Sequence, residues 1–186
     1  MKSILVFAAV MAFTTPALAV TQWAAVSDPN TIAWEGTKSG SEPLAGHCAK
    51  FTADIAFDPA ALAQSSVHVK IDTGSCKTGD TQTDEFLPQE GWFNVSAFPD
   101  AVFEAKSFSH SGGDKYVADG TLTLKGITKK VALPFTLTIT GDKAHVVGET
   151  TLQRLAFGVG DTQQLSASTI ASLDIKVKID LHATRK

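Results

Sequence analysis

The side chains that most often carry catalysis or metal binding are scattered in this sequence of 186 residues. Its five histidines stand apart along the chain: His47, His68, His110, His145 and His182. Only His47 adjoins another soft metal ligand, Cys48, and no second pair follows at the spacing of a zinc or haem site. His68 and His182 fall on the polar faces of predicted strands, where a solvated histidine is the usual explanation. We therefore predict no metal site, with a metal or haem site at His47 and Cys48 as the alternative.

Paired carboxylates are a second source of chemistry, because they can act as general acid and general base. Asp80, Asp84 and Glu85 stand close together in a polar stretch. Asp80 also suits the N-cap of a short helix that ends before Pro88, so a solvated helix face explains the same residues. The sequence lacks the signatures of serine hydrolases, zinc proteases, phosphate-binding loops and covalently attached haem. We predict that the protein is not an enzyme and uses no cofactor.

The N-terminal residues have the three-part pattern of an export signal. Met1-Lys2 is a basic start, residues 4–13 are apolar, and Ala17-Leu18-Ala19 has the small residues of a cleavage site. The apolar run is too short to cross a bilayer, which takes about 20 residues. We expect residues 1–19 to be a signal peptide and residues 20–186 to form one periplasmic domain. The alternative is a buried N-terminal strand.

Charge and length narrow the class of protein further. The formal net charge is −3, and it becomes −4 once Lys2 leaves with the signal peptide. A mildly acidic chain without a basic cluster does not fit a nucleic-acid partner. The remaining length suits a single domain with a sizeable core.

Alternation of apolar and polar side chains is the dominant pattern in the chain. It is clearest over residues 117–139, where two alternating stretches flank Lys125-Gly126-Ile127-Thr128, a pattern typical of a β-hairpin. Further predicted strands begin near Thr31, Lys50, Val67, Val102, Lys143 and Leu173. About eight short strands with almost no helix predict an all-β fold, either an antiparallel sandwich or a barrel. A barrel of about eight strands holds either one small ligand or the side chains that fill it.

The middle of the chain departs from this alternation. Residues 78–91 have no period of two, and an aromatic connection with Trp92, Phe93 and Phe98 follows. A long irregular segment in a β-rich domain often covers an opening. The same aromatic residues are also common core residues, so they would equally plug one end of the core.

Four stretches resemble the signatures of the YceI-like family. Residues 120–131 are similar to its G-x-L-T-L-x-G-[VI]-T-x-x-V segment, and residues 51–59 to its F-x-x-x-I-x-F-D-P strand. Residues 71–79 and 92–103 resemble two further segments of the family in the same order. Residues 155–160, L-A-F-G-V-G, look like the branch of the family that occurs beside cytochrome b561-type membrane proteins.

The resemblance implies an exported, lipocalin-like antiparallel barrel of eight strands that holds a polyisoprenoid, an isoprenoid quinone or a similar long lipid. A membrane b-type cytochrome is the implied protein partner, and both a monomer and a homodimer stay open. The alternative is an accessory domain with a filled core that docks on the cytochrome and binds no ligand. From the aromatic connection and the uncharged inner faces we expect these residues to contact the lipid: Phe51, Trp92, Phe93, Phe98, Phe103, Leu122, Leu124 and Phe135.

Cys48 and Cys76 depart from the family, since that branch commonly has an aromatic and a small apolar residue at these positions. Cys48 precedes the strand that begins near Lys50, and Cys76 follows the strand that begins near Val67. If these two strands pair as an antiparallel hairpin, both cysteines lie at the same end of it. Because the chain is expected to be exported, we predict a disulfide between them. The competing hypothesis is a reactive Cys48 beside His47.

Overall fold

The computed structural model describes residues 20–26, 30–161 and 171–186, and these form one closed antiparallel sheet with one short helix. The expected signal peptide lies outside the described residues. The helix α1 spans Thr81–Phe86. The strands are β1 (Gln22–Ala25), β2 (Thr31–Lys38), β3 (Glu42–Cys48), β4 (Phe51–Ala56), β5 (Ser66–Asp72), β6 (Cys76–Lys77), β7 (Asp100–Gly112), β8 (Lys115–Leu124), β9 (Ile127–Thr140), β10 (Lys143–Gln153) and β11 (Asp174–Arg185).

Pairing between the last and the first strands closes the sheet into a barrel. Strand β11 pairs with β10 along one edge, while its other edge pairs with β1 and with β2. The closed ring has eight strands in the described chain, in the order β1-β4-β5-β7-β8-β9-β10-β11. Strands β2, β3 and β6 continue the sheet beyond that ring. This confirms the predicted eight-stranded antiparallel barrel.

The central hairpin is present, with a shorter turn than the sequence predicts. Lys125 and Gly126 form the turn alone, and strand β9 already begins at Ile127. Both turn residues have positive φ, 50° and 74°, which is the backbone of the two-residue turns that match strand twist. Gly126 is also needed for space, because a Cβ there would lie 2.7 Å from Cε1 of Phe98.

Strands β1 and β3 were not predicted. Strand β3 begins at Glu42 and contains Pro43, in a sequence without clean alternation. Its pairing depends on a distant residue, since Gly46 lies opposite Trp34 of β2. A Cβ on Gly46 would overlap the Trp34 ring. The strand therefore forms through a cross-strand contact that local sequence patterns do not record.

An aromatic cluster fills one end of the barrel. The Phe57 ring contacts Phe108, Tyr116 and Phe135 in edge-to-face geometry, with centroids 5.2, 5.6 and 5.8 Å apart. Trp23 is 2% exposed, and its indole N–H donates to the Phe57 carbonyl over 2.9 Å. Side chains thus occupy the interior at this end of the barrel.

The predicted disulfide between Cys48 and Cys76 is present. The two residues lie directly opposite each other in β3 and β6, and their Cα atoms are 3.9 Å apart. Both are buried. The expected hairpin of β4 and β5 brings them together, since Phe51 pairs with Ile71 next to them. With its sulfur bonded, Cys48 serves neither as a metal ligand nor as a thiolate.

We expect the disulfide to stabilise the fold by about 3.5 kcal/mol, because it restricts the unfolded chain over a sequence separation of 28 residues. A double variant, Cys48→Ala with Cys76→Ala, should lose this amount in urea unfolding. Reductant should lower the midpoint of the wild type and leave that of the double variant unchanged. Two titratable thiols in denatured, unreduced wild-type protein would contradict the assignment.

Candidate functional site

An apolar cavity of about 720 Å³ occupies the end of the barrel opposite the aromatic cluster. Its wall includes inward side chains from nine strands, because every second residue of a strand points to the interior. Representative wall residues are Ile32, Val69, Phe103, Leu122, Val131, Leu152 and Val177. Lys38, Glu42 and Arg154 are the lining residues with charged side chains, and the rest of the lining is mostly apolar, so the interior suits a largely apolar ligand.

Helix α1 and the aromatic connection lie over the end of this cavity. Leu87 is 4% exposed and lines the cavity together with Trp92 and Phe93. Phe86, by contrast, is 46% exposed and lines the cavity from its edge. The opening therefore lies beside α1, where the exposed lining residue Ser39 marks the facing turn between β2 and β3.

Asp80 and Asp84 stabilise the start of α1 through hydrogen bonds, so these two carboxylates are not free for acid–base chemistry. The Thr83 amide and hydroxyl donate to Asp80 over 2.8 and 2.6 Å, which makes Asp80 the predicted N-cap. The Thr78 amide and hydroxyl donate to Asp84 over 2.7 and 2.8 Å. These hydrogen bonds lower the pKa of both carboxyl groups, so both stay ionised at neutral pH.

Arg154 holds residues 159–160 beside residues 171–172, which precede the start of β11. Its side chain is buried, and it donates to four backbone carbonyls over 2.8 to 3.1 Å: those of Val159, Gly160, Ala171 and Ser172. Burial lowers the pKa of Arg154, yet a guanidinium remains charged at neutral pH. Its guanidinium carbon lies 5.9 Å from the Trp92 ring centroid. A positive charge therefore stands at the cavity wall near the aromatic connection.

Lys125 makes a second attachment to the same segment. Its ammonium donates to the Gly158 carbonyl over 2.6 Å, and burial lowers its pKa. Phe157 and Val159 are 2% and 5% exposed and pack with Leu122 below the segment. The loop at residues 154–160 is thus a fixed part of the cavity wall.

Strands β9 and β10 form a ladder only over part of their length. Their pairing ends at Phe135 opposite Gly148, although both strands continue toward the cavity. The Leu137 amide donates to the backbone carbonyl of Asp114, which lies on the β8 side. Because successive residues of a strand direct their backbone groups to opposite sides, the nitrogen of Pro134 faces β10. Proline has no N–H to donate there. Beyond it, the Thr150 hydroxyl donates to the Ala132 carbonyl over 3.0 Å and bridges the gap.

The structure brings five of the eight residues expected to contact a ligand into the cavity wall. These are Trp92, Phe93, Phe103, Leu122 and Leu124. Phe135 belongs to the aromatic cluster at the filled end. Phe98 packs on Gly126, and Phe51 pairs with the lining residue Ile71 without being among the lining residues itself.

Several wall residues were missed from the sequence. Trp34 stood in a strand without clear alternation, and Leu87 was expected only as part of the short helix. Arg154 and Phe157 belong to a segment that was noted for its family resemblance alone. For Arg154 the available sequence signal was an arginine that precedes apolar residues and a Gly-rich turn. This signal does not identify the four carbonyl groups to which Arg154 donates.

A closed antiparallel barrel of eight strands with an apolar cavity at one end is an architecture that can hold a small ligand. Among the described residues, no helix combines the length and the apolar character needed to cross a membrane. The chain is a member of the YceI-like domain family, whose sequence profile matches residues 23–183.

Individual relatives agree with this assignment. The UPF0312 protein of Shewanella oneidensis is 29% identical over 154 residues, which are 83% of this chain and 74% of that protein. The crystal structure of Burkholderia cenocepacia BcnA is 30% identical, with a TM-score of 0.80 over 86% of this chain and 99% of that chain. A polyisoprenoid binding domain of Saccharophagus degradans, implicated in plant cell wall breakdown, shares the fold with a TM-score of 0.69 at 11% identity, over 90% of this chain and 99% of that domain.

We expect Arg154→Met to destabilise the protein by about 3 kcal/mol or more, because it leaves buried carbonyls without a donor. Arg185→Met is the matched control. Arg185 is exposed and pairs with Asp142 at the surface, so its loss should cost about 1 kcal/mol or less. Urea unfolding followed by circular dichroism measures both values. Equal losses in the two variants would show that Arg154 does not hold the loop.

Proposed function

We propose that the protein is a non-enzymatic carrier that holds a long apolar lipid, a polyisoprenoid or an isoprenoid quinone, inside the barrel. The observation that carries the proposal is the apolar cavity of about 720 Å³. Pockets of roughly 300–1,000 Å³ are the usual size for small-molecule ligands. A tail that buries about 400 Å² of its surface gains roughly 10 kcal/mol before the loss of its freedom is subtracted.

The two ends of the barrel set the orientation that we propose for the lipid. The aromatic cluster around Phe57 blocks one end, so the apolar tail enters from the end beside α1. A polar head group then stays near the opening, where Arg154 and the ion pair of Lys38 with Glu42 lie among the lining residues. The Saccharophagus degradans domain supports a lipid only through a shared fold, because its identity to this chain is 11%.

The accessory-domain alternative receives less support from the structure. A domain with a filled core would not contain a cavity of this volume. Residues 155–160, which resemble the branch associated with cytochrome b561, form the wall around Phe157 instead of a free docking loop. We keep a membrane b-type cytochrome as a proposed recipient of the lipid, in addition to the carrier function.

Export to the periplasm is part of the proposal and has a direct test. The three-part pattern of residues 1–19 and the disulfide both support it. We expect the mature chain to begin near Val20. N-terminal sequencing of protein from a periplasmic extract measures this, and an intact Met1 in that extract would contradict cleavage.

Native mass spectrometry of protein purified gently from the periplasm tests the carrier function. We expect a bound lipid, and we expect Leu122→Trp to lower its occupancy at least tenfold because the indole fills the cavity. Thr121→Trp is the matched control, since the neighbouring residue points to the outer face of β8. Circular dichroism checks that both variants fold.

The carrier proposal fails if wild-type preparations never carry a lipid and added isoprenoids leave the melting temperature unchanged. If lipid is bound but a folded Leu122→Trp variant retains it fully, the ligand lies outside this cavity.

A further inference from the structure

The outer face of the barrel carries a cluster of three metal-binding side chains at the filled end. His145 of β10 lies directly opposite His182 of β11, and Asp180 precedes His182 by two residues on the same strand. Residues two apart on a strand share a face, so all three side chains point outward. Their inward neighbours Ala144 and Ala183 belong to the aromatic core, which separates the cluster from the lipid cavity.

The ligand atoms of the cluster converge. The Nε2 atom of His145 lies 2.7 Å from Oδ1 of Asp180, and Nε2 of His182 lies 3.5 Å from the same oxygen. One ligand atom from each residue can be chosen so that all three lie within 4.8 Å of one another. Zinc bonds of 2.0–2.2 Å in a tetrahedron place ligand atoms roughly 3.3 Å apart, which is close to the separations in this cluster.

The two imidazoles lie next to each other on neighbouring strands. Their rings are stacked 4.1 Å apart with an interplanar angle of 8°. A metal ion bonds to imidazole nitrogen in the plane of the ring, so one ring must turn out of the stack for both nitrogens to reach a single ion. The neighbouring backbone also holds the pair in place, since the His182 amide donates to the Asn30 side chain over 2.7 Å.

We propose that His145, Asp180 and His182 form a surface site for a divalent transition-metal ion, with Zn²⁺ as the best fit. Two imidazoles and one carboxylate are ligands that zinc accepts, and they leave a fourth position for water or for a ligand from another molecule. Hard ions such as Mg²⁺ prefer oxygen ligands and should bind poorly. The spacing of His145 and His182 along the chain hides this site from sequence motifs, because only the β10–β11 register brings them together.

Isothermal titration of the mature, tag-free protein with ZnCl₂ at pH 7.5 tests the site, with MgCl₂ titrated in parallel. We expect one zinc ion per chain and a rise in melting temperature that EDTA reverses. His145→Ala and His182→Ala should each weaken zinc binding at least tenfold. His68→Ala is the matched control, because His68 also pairs with a carboxylate, Glu104, over 3.1 Å but has no second histidine in that pair.

Asp180→Asn removes a ligand while keeping the shape of the side chain, and it serves if a histidine variant fails to fold. Histidine NMR signals of the wild type add an independent readout, and we expect those of His145 and His182 to shift with zinc. Absence of zinc binding, or binding that persists in folded His145→Ala and His182→Ala variants, would overturn the proposal. The hydrogen-bonded cluster would then be a structural ion pair only.

Discussion

Closure of the sheet is the constraint on which the rest of the structure depends. Once β11 pairs with β10 on one edge and with β1 and β2 on the other, the sheet closes into a ring that encloses a limited interior. Inward side chains must then either fill that interior or leave it to a ligand. Rings from Phe57, Tyr116 and Phe135 pack together and fill one end, whereas aromatic and aliphatic side chains at the other end line a cavity.

Much of the fold could be predicted because its causes are local. Alternation identified the hairpin of β8 and β9, and Asp80 identified the start of α1. Alternation tells which face of a strand is inside but not how far along the barrel a residue lies. Phe103 and Phe135 both point inward, yet Phe103 lines the cavity and Phe135 fills the closed end. The position of a residue along the barrel depends on the register between strands that are distant in the chain. Sequence patterns carry no information about that register.

The cavity wall beside the opening depends on contacts between residues that are far apart in the sequence. Arg154 reaches carbonyls up to 18 residues away, and the Trp34 ring requires the absence of a side chain at Gly46. Each contact arises from the packing or hydrogen bonding of one particular side chain, so no repeated sequence pattern predicts it. The disulfide was accessible from sequence for the opposite reason, since two cysteines allow a single pairing within the chain.

The ladder between β9 and β10 stops at Phe135 and Gly148, before either strand reaches its end at the cavity. By contrast, β8 pairs with β9 over its full length. Beyond Pro134 the strands are joined by the hydroxyl of Thr150, whose hydrogen bond is worth about 1 kcal/mol. The ring is therefore joined by fewer backbone hydrogen bonds between β9 and β10 on the cavity side of Pro134 than on its filled side.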